Sequence, residues 1–248
     1  MCHKERESPC AFPKRNARAR VAAENWPDVL CSDRQGLRYT FPEAQMITAI
    51  KTVSIAKLVE GLRQLPESKF GPTEPLRLLL RDMPVDADSL TPYLTWNTQH
   101  YTRNLIDRTP LYELMAICWE VGQASSVHNH RDQNCWMAVP IGRLLVENFH
   151  MVHQDVEAGH ARLEPLNTVE MNVAQPCAVD PGDPVHRVVN PREFKQRAVS
   201  LHVYSRPFDT CVVYSPEQGT CGVIQLHFNT VFGKTESGKA EPGKAAGH

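Results

Sequence analysis

No Cys-x-x-Cys pair occurs in this 248-residue chain, which removes the usual basis for a zinc ribbon. The eight cysteines, Cys2, Cys10, Cys31, Cys118, Cys135, Cys177, Cys211 and Cys221, are too sparse to staple a miniature fold. With no export signal they are expected to be free thiols that mostly serve as small core residues. No apolar run approaches the length of a membrane span, and clusters such as Leu78-Leu79-Leu80 are only a few residues long. The amino terminus, Met-Cys-His-Lys-Glu-Arg-Glu, has no apolar stretch behind its charges, and Glu5 and Glu7 are acids of a kind that transit peptides avoid. A cytoplasmic location is expected. There is also no excess of either charge: 27 basic and 28 acidic side chains leave a net charge of -1. Neither nucleic acid nor an anionic membrane is therefore expected as a partner, and the chain is expected to act as a monomer on a small molecule.

What is present is ordinary for a globular domain: 42% hydrophobic and 22% charged residues. Residues 1–48 are irregular in composition, and their basic group Lys14, Arg15, Arg18 and Arg20 is followed by no helix-turn-helix or finger pattern. Residues 234–248, mostly Gly, Lys, Ala and Glu, read as a disordered tail. Between these ends, residues 49–233 form the expected folded domain. Ser54 can cap a helix carrying Ile55, Leu58, Val59 and Leu62, which Pro66 and Gly71-Pro72 then end. A second helix is expected from Thr73 with Leu76, Leu79 and Leu80. From about Arg103 the pattern is of strands: 114–119, 136–139, 143–149, 185–189, 198–204, 211–214 and 223–228. The fold class is all-β, a sandwich or barrel behind a small helical region.

His128-Asn129-His130 places two imidazoles two residues apart. In a strand such residues share a face, with a rise of roughly 3.3 Å per residue, so both can reach one metal ion. Alone, the pair has a simpler reading as two polar side chains in water, since the chain holds eleven histidines. Its surroundings are more specific: Gly122, His128, His130, Cys135 and Gly142 spell G-x5-H-x-H-x4-C-x6-G. Downstream, Pro181-Gly182-Asp183-Pro184-Val185-His186-Arg187-Val188-Val189-Asn190 supplies a third histidine after a tight turn. The two segments resemble the paired motifs of the cupin superfamily, a double-sheet jelly roll with an internal metal. Cys135 stands where those motifs usually carry a ligating glutamate. A set of three neutral imidazoles leaves open positions and an uncancelled metal charge, which suits an anionic thiolate entering with oxygen. Zinc binds the same ligands, so a zinc-dependent isomerase or hydrolase is a competing reading.

Val199-Ser200-Leu201-His202-Val203-Tyr204 alternates strictly, which puts Ser200, His202 and Tyr204 on one face of a strand. By itself this reads as an edge with its polar side in water. Next to a metal it becomes a hydrogen-bonded line in which His202 holds Tyr204, and the phenol donates to substrate or oxygen. No nucleophile elbow surrounds Ser200, so a hydrolytic triad is not indicated.

Taken together, several segments resemble the cysteine dioxygenase family over roughly residues 50–233. They are Tyr101-Thr102-Arg103-Asn104-Leu105, Cys118-Trp119, Ser125 to His130 with Cys135, His186-Arg187-Val188 with Asn190, Ser200 to Ser205, Pro207 to Cys211, and Phe232-Gly233. The resemblance implies that His128, His130 and His186 bind Fe(II), and that L-cysteine enters through its thiolate and amine. Dioxygen then delivers both oxygen atoms to sulfur, giving cysteine sulfinic acid. It implies that Arg103 pairs with the substrate carboxylate, as a planar guanidinium does well, and that Tyr101 lies close by. It also implies that Cys135 and Tyr204 become a thioether-linked pair.

Two departures bear on substrate. The family usually has Ser-Pro with a cis peptide where this chain has Ser205-Arg206, and a cis bond before a non-proline costs about 2.5–4 kcal/mol. Arg206 is also expected to add a second cation near the pocket, which leaves room for 3-mercaptopropionate or another short thiol acid. Arg103 and Cys211 favour cysteine. A non-catalytic cupin that binds a metabolite is the reading from another class, and Arg103, Tyr204 and Cys135 together disfavour it.

Overall fold

A computed structural model describes residues 51–71 and 73–235. The expectations for residues 1–48, including the basic group, fall outside the described residues, as does residues 236–248 of the tail. Two helices open the described part, α1 (Ile55–Arg63) and α2 (Thr73–Asp82). Ser54 caps α1 as its sequence predicts, its hydroxyl accepting from the Lys57 N–H. Leu58 and Leu62, one turn apart, are fully buried, as are Leu76 and Leu80 on α2.

Thirteen strands follow among the described residues: β1 (Thr102–Arg108), β2 (Tyr112–Trp119), β3 (Val127–His128), β4 (Cys135–Ile141), β5 (Leu144–Asp155), β6 (His160–Met171), β7 (Cys177–Ala178), β8 (Val185–Val189), β9 (Ala198–Ser205), β10 (Thr210–Ser215), β11 (Thr220–Gln225), β12 (Thr230–Val231) and β13 (Lys234–Thr235). One sheet runs β13-β12-β1-β2-β9-β4-β7, and the other strands close on themselves in the order β10-β11-β6-β5-β8-β3. This is the cupin jelly roll, an all-β fold with a small helical region at its start. Lys234 and Thr235, read from composition as tail, pair instead with β12.

The central strands β2 and β9 of the first sheet are buried on both faces, and this decides where their polar residues go. Leu114, Ala116 and Cys118 of β2, with Val199, Leu201 and Val203 of β9, pack in one core cluster with the two helices. Met115, Ile117 and Trp119 of β2, with Tyr204 of β9, belong to the inner cluster. The alternation of β9 therefore does not mark a solvated edge. Its polar side is the inside of the barrel. Gly142 turns β4 into β5 at φ +75°, and a Cβ there would meet the Arg197 carbonyl at 2.5 Å. This is the last glycine of the G-x5-H-x-H-x4-C-x6-G run.

Candidate metal centre

β3 is only two residues long and is held on both sides, with His128 opposite Val213 of β10 and His186 of β8. Opposed residues of antiparallel strands project from one face, and the two imidazole centroids lie 4.7 Å apart. His130 corrects the sequence expectation of two ligands on alternate positions of one strand, because the strand ends at His128. The backbone beyond it is held by Asn129, whose N–H donates to the Val212 carbonyl at 3.1 Å. The Asn129 side chain also donates to the Tyr214 hydroxyl at 2.9 Å. His130 still turns inward, with its ring 5.1 Å from His128 and 4.8 Å from His186. One nitrogen from each ring lies within 4.8 Å of the others, and no carboxylate joins this group among the described residues.

The hydrogen bonds around these rings favour a metal. Carbonyl oxygens only accept, so His128 Nδ1 donates to Ser126 O at 2.9 Å and His186 Nδ1 to Pro184 O at 3.1 Å. Each Nε2 then carries a lone pair. His186 Nε2 and both nitrogens of His130 are buried without a hydrogen-bond partner, a costly state that a cation relieves at one nitrogen of each ring. Burial pushes His128 down to about 4 and His130 and His186 well below the usual imidazole range. All three are neutral at physiological pH, as ligands must be. The donor set fits a divalent metal ion.

A cavity open to solvent adjoins the cluster and is lined by Tyr101, Arg103, His128, His130, Tyr204 and Phe208 among others. Arg103 stands on β1 with its guanidinium carbon 5.2 Å from the Phe228 ring centroid. One of its donors reaches the His227 carbonyl at 3.3 Å. Tyr101 stacks on Trp119 at 4.7 Å, and burial raises its phenol.

The inner face of β9 carries a continuous hydrogen-bond line. Trp119 Nε1 donates to Ser200 Oγ at 2.9 Å, Ser200 Oγ lies 2.8 Å from His202 Nε2, and His202 Nδ1 lies 3.1 Å from the Tyr204 hydroxyl. Burial pushes His202 down to about 3, so its ring is neutral and offers one donor and one acceptor. Ser200 already accepts from the indole, and its own proton has His202 Nε2 as its partner. That leaves the proton of His202 on Nδ1, directed at the Tyr204 oxygen. The phenolic hydrogen is then free to point into the cavity. Tyr204 packs edge-on against His130 at 4.9 Å and Phe208 at 5.0 Å.

Cys135 of β4 lies directly opposite Tyr204 and is wholly buried, and burial holds its thiol well above the ordinary range. Arg206 does not reach the cavity, contrary to expectation. Its backbone is left-handed at φ 65°, the peptide before it is trans, and its guanidinium pairs with Glu67 at 2.9 Å on the outside. Sequence reasoning gave no role to Trp119, Phe208 or the Asn129–Tyr214 contact. Asn129 could have been noticed as the amide between two candidate ligands. Phe208 and Trp119 meet the site only through the fold.

Comparison with known proteins adds a name to this arrangement. The family described as "Cysteine dioxygenase type I" matches residues 45–217. The chain is 25% identical over 186 residues to "Cysteine dioxygenase type 1" of Danio rerio, spanning 75% of this chain and 90% of that protein. It is 28% identical over 185 residues to the protein of the same name from Homo sapiens, spanning 74% and 90%. The chain belongs to the cysteine dioxygenase type I family.

Proposed function

We propose that this protein oxidises free L-cysteine with dioxygen to cysteine sulfinic acid at a mononuclear Fe(II) site held by His128, His130 and His186. The observation that carries the reading is a cluster of three neutral imidazoles, with no acid among them, two of which, His128 and His130, line one cavity with Arg103 and Tyr204. Both atoms of dioxygen are accounted for in the sulfinate, so the overall reaction needs no further reductant. Fe(II), when bound, supplies a centre where a thiolate and dioxygen meet, and uncharged ligands leave its charge for the substrate.

The chain's own groups do the remaining work. Arg103 binds the cysteine carboxylate through a charge-assisted pair, which fixes the sulfur end toward the histidines. Tyr204 offers its hydroxyl hydrogen to the reacting end, held in that sense by His202, Ser200 and Trp119. Tyr101 and Phe208 line the cavity and give it apolar ring walls. Cys135, in register with Tyr204, joins its ring in a thioether; the thiol and ring hydrogens are lost, dioxygen takes them up as hydrogen peroxide, and the link fixes the phenol.

Oxygen uptake by the iron-loaded protein tests the assignment. Uptake with L-cysteine should exceed that with 3-mercaptopropionate and yield sulfinate. A preference for the latter acid would reassign the substrate, and uptake with neither would remove the dioxygenase reading. The zinc alternative predicts zinc rather than iron in protein purified without oxygen.

A further inference from the structure

One ionisable group near the reacting side chains has no part in the chemistry above. Glu113 of β2 is in register with Tyr204 of β9, which is in register with Cys135 of β4, while Arg108 of β1 lies opposite Glu113 on its other side. Directly opposed residues of antiparallel strands share a face, about 4.5–5.5 Å apart at Cβ. Cys135, Tyr204, Glu113 and Arg108 therefore form one transverse row across four strands, on the inner side. The Glu113 side chain is wholly buried, and neither carboxyl oxygen has a hydrogen-bond partner. Arg108 Nε stands 3.6 Å from Oε2, and its guanidinium also serves Asp209 at 3.1 Å. Leucine would fill this place without the cost of a buried acid that accepts no hydrogen bond. Core packing alone gives no reason for a carboxyl here.

We propose that Glu113 is a positioning residue for Tyr204, a buried acid whose charge state sets how strongly the neighbouring phenol donates its hydrogen bond into the cavity. The functional half of this rests on the dioxygenase reading; the ionisation of Glu113 does not. The titratable and charged groups facing Glu113 are Tyr204 from β9, Arg108 and Arg103 from β1, and Asp209 from the segment before β10. Burial pushes the carboxyl up to about 7, with the two arginines opposing and Asp209 adding to the rise. Below that pH the side chain is neutral. Above it, a negative charge beside the phenol opposes release of the phenolic proton and weakens donation. Turnover should fall as pH rises through this range.

The stability sign follows from the same carboxyl. Its ordinary value is 4.5 and its folded value is higher, so the folded protein favours the protonated form. That contribution is complete below about pH 4.5 and is lost as pH rises through about 7.

The iron-loaded full-length protein is compared with its Glu113→Gln variant by thermal unfolding from about pH 4.5 to about pH 8, and by the pH profile of kcat in oxygen uptake. The unfolding midpoint of the variant should gain on that of the wild type as pH rises, levelling off above neutrality. A gap that does not change with pH overturns the proposal. The wild-type kcat should decline several-fold across the same range and the variant's should not; parallel profiles also overturn it, because a merely structural glutamate would leave the profile alone. Absence of uptake from both proteins at every pH sinks the dioxygenase reading and, with it, the functional half, while the unfolding curves still decide the ionisation. If Glu113→Gln does not fold, Arg108→Gln serves instead. Loss of that cation should move the wild-type transition to higher pH in both measurements, and an unmoved transition overturns the proposal.

Discussion

Ser200→Ala breaks the hydrogen-bond line at its centre, and its consequences can be worked from the contacts. The hydroxyl accepts from Trp119 at 2.9 Å and serves His202 at 2.8 Å, and all three side chains are buried. Two neutral hydrogen bonds are lost, each with a net value of about 1 kcal/mol, and an indole N–H and an imidazole nitrogen remain buried without partners at about 1–3 kcal/mol each. The two orphaned groups set the scale, so the expected destabilisation is about 2–6 kcal/mol in denaturant unfolding. Trp119→Phe in the same background removes one of the orphaned groups. The double variant should therefore be less destabilised than the sum of the singles by about 1 kcal/mol, outside the 0.3–0.5 kcal/mol within which independent sites add. Turnover should fall too. Without Ser200, His202 is no longer held with its proton on Nδ1, and the phenolic hydrogen can turn back to that nitrogen and away from the cavity. Loss of a positioned proton donor costs about 10²-fold or more in favourable cases, and here it should appear in kcat with KM for cysteine little changed. Strict additivity in the cycle, together with unchanged kcat, would refute the line as drawn.

Arg103→Gln should raise KM for cysteine by about tenfold to a hundredfold, the equivalent of losing a hydrogen bond to a charged group worth about 1.5–3 kcal/mol. Arg103→Lys should recover only part of this, since an ammonium lacks the planar fork; saturation curves that match the wild type take Arg103 out of the binding role. Intact mass under denaturing conditions should show a species two hydrogens lighter after turnover, assigned to Cys135 joined to Tyr204. It should be absent from Cys135→Ala, and its persistence there would place the modification elsewhere.

The helices and most of the barrel were legible because their residues obey a period. Ser54 with Ile55, Leu58 and Leu62 marks α1, and the strand 185–189 matches β8 residue for residue. β6 was not legible. Its twelve residues are largely exposed and carry no sustained alternation of apolar and polar side chains, so its pairing with β5 is what makes it a strand. β11 lies at Thr220–Gln225, earlier than the expected 223–228, because the turn at residues 216–219 sets its register against β10. The two-residue strands β3, β7, β12 and β13 are too short to have a period. At the site, motif spacing predicted the three histidines, and the structure brings them together. It did not predict that His130 leaves the strand, because Asn129 and Tyr214 meet only through the β3–β10 pairing. Arg206 was misplaced for a similar reason: sequence proximity to Tyr204 says nothing about the left-handed turn that sends its side chain outward.

X-ray absorption at the iron edge of the reconstituted protein, before and after L-cysteine is added without oxygen, addresses the metal and substrate assignments together. Scattering from three imidazoles should be present from the start, and a sulfur neighbour should appear with cysteine. Fewer than three imidazoles, or an iron environment that cysteine leaves without sulfur, would contradict the account.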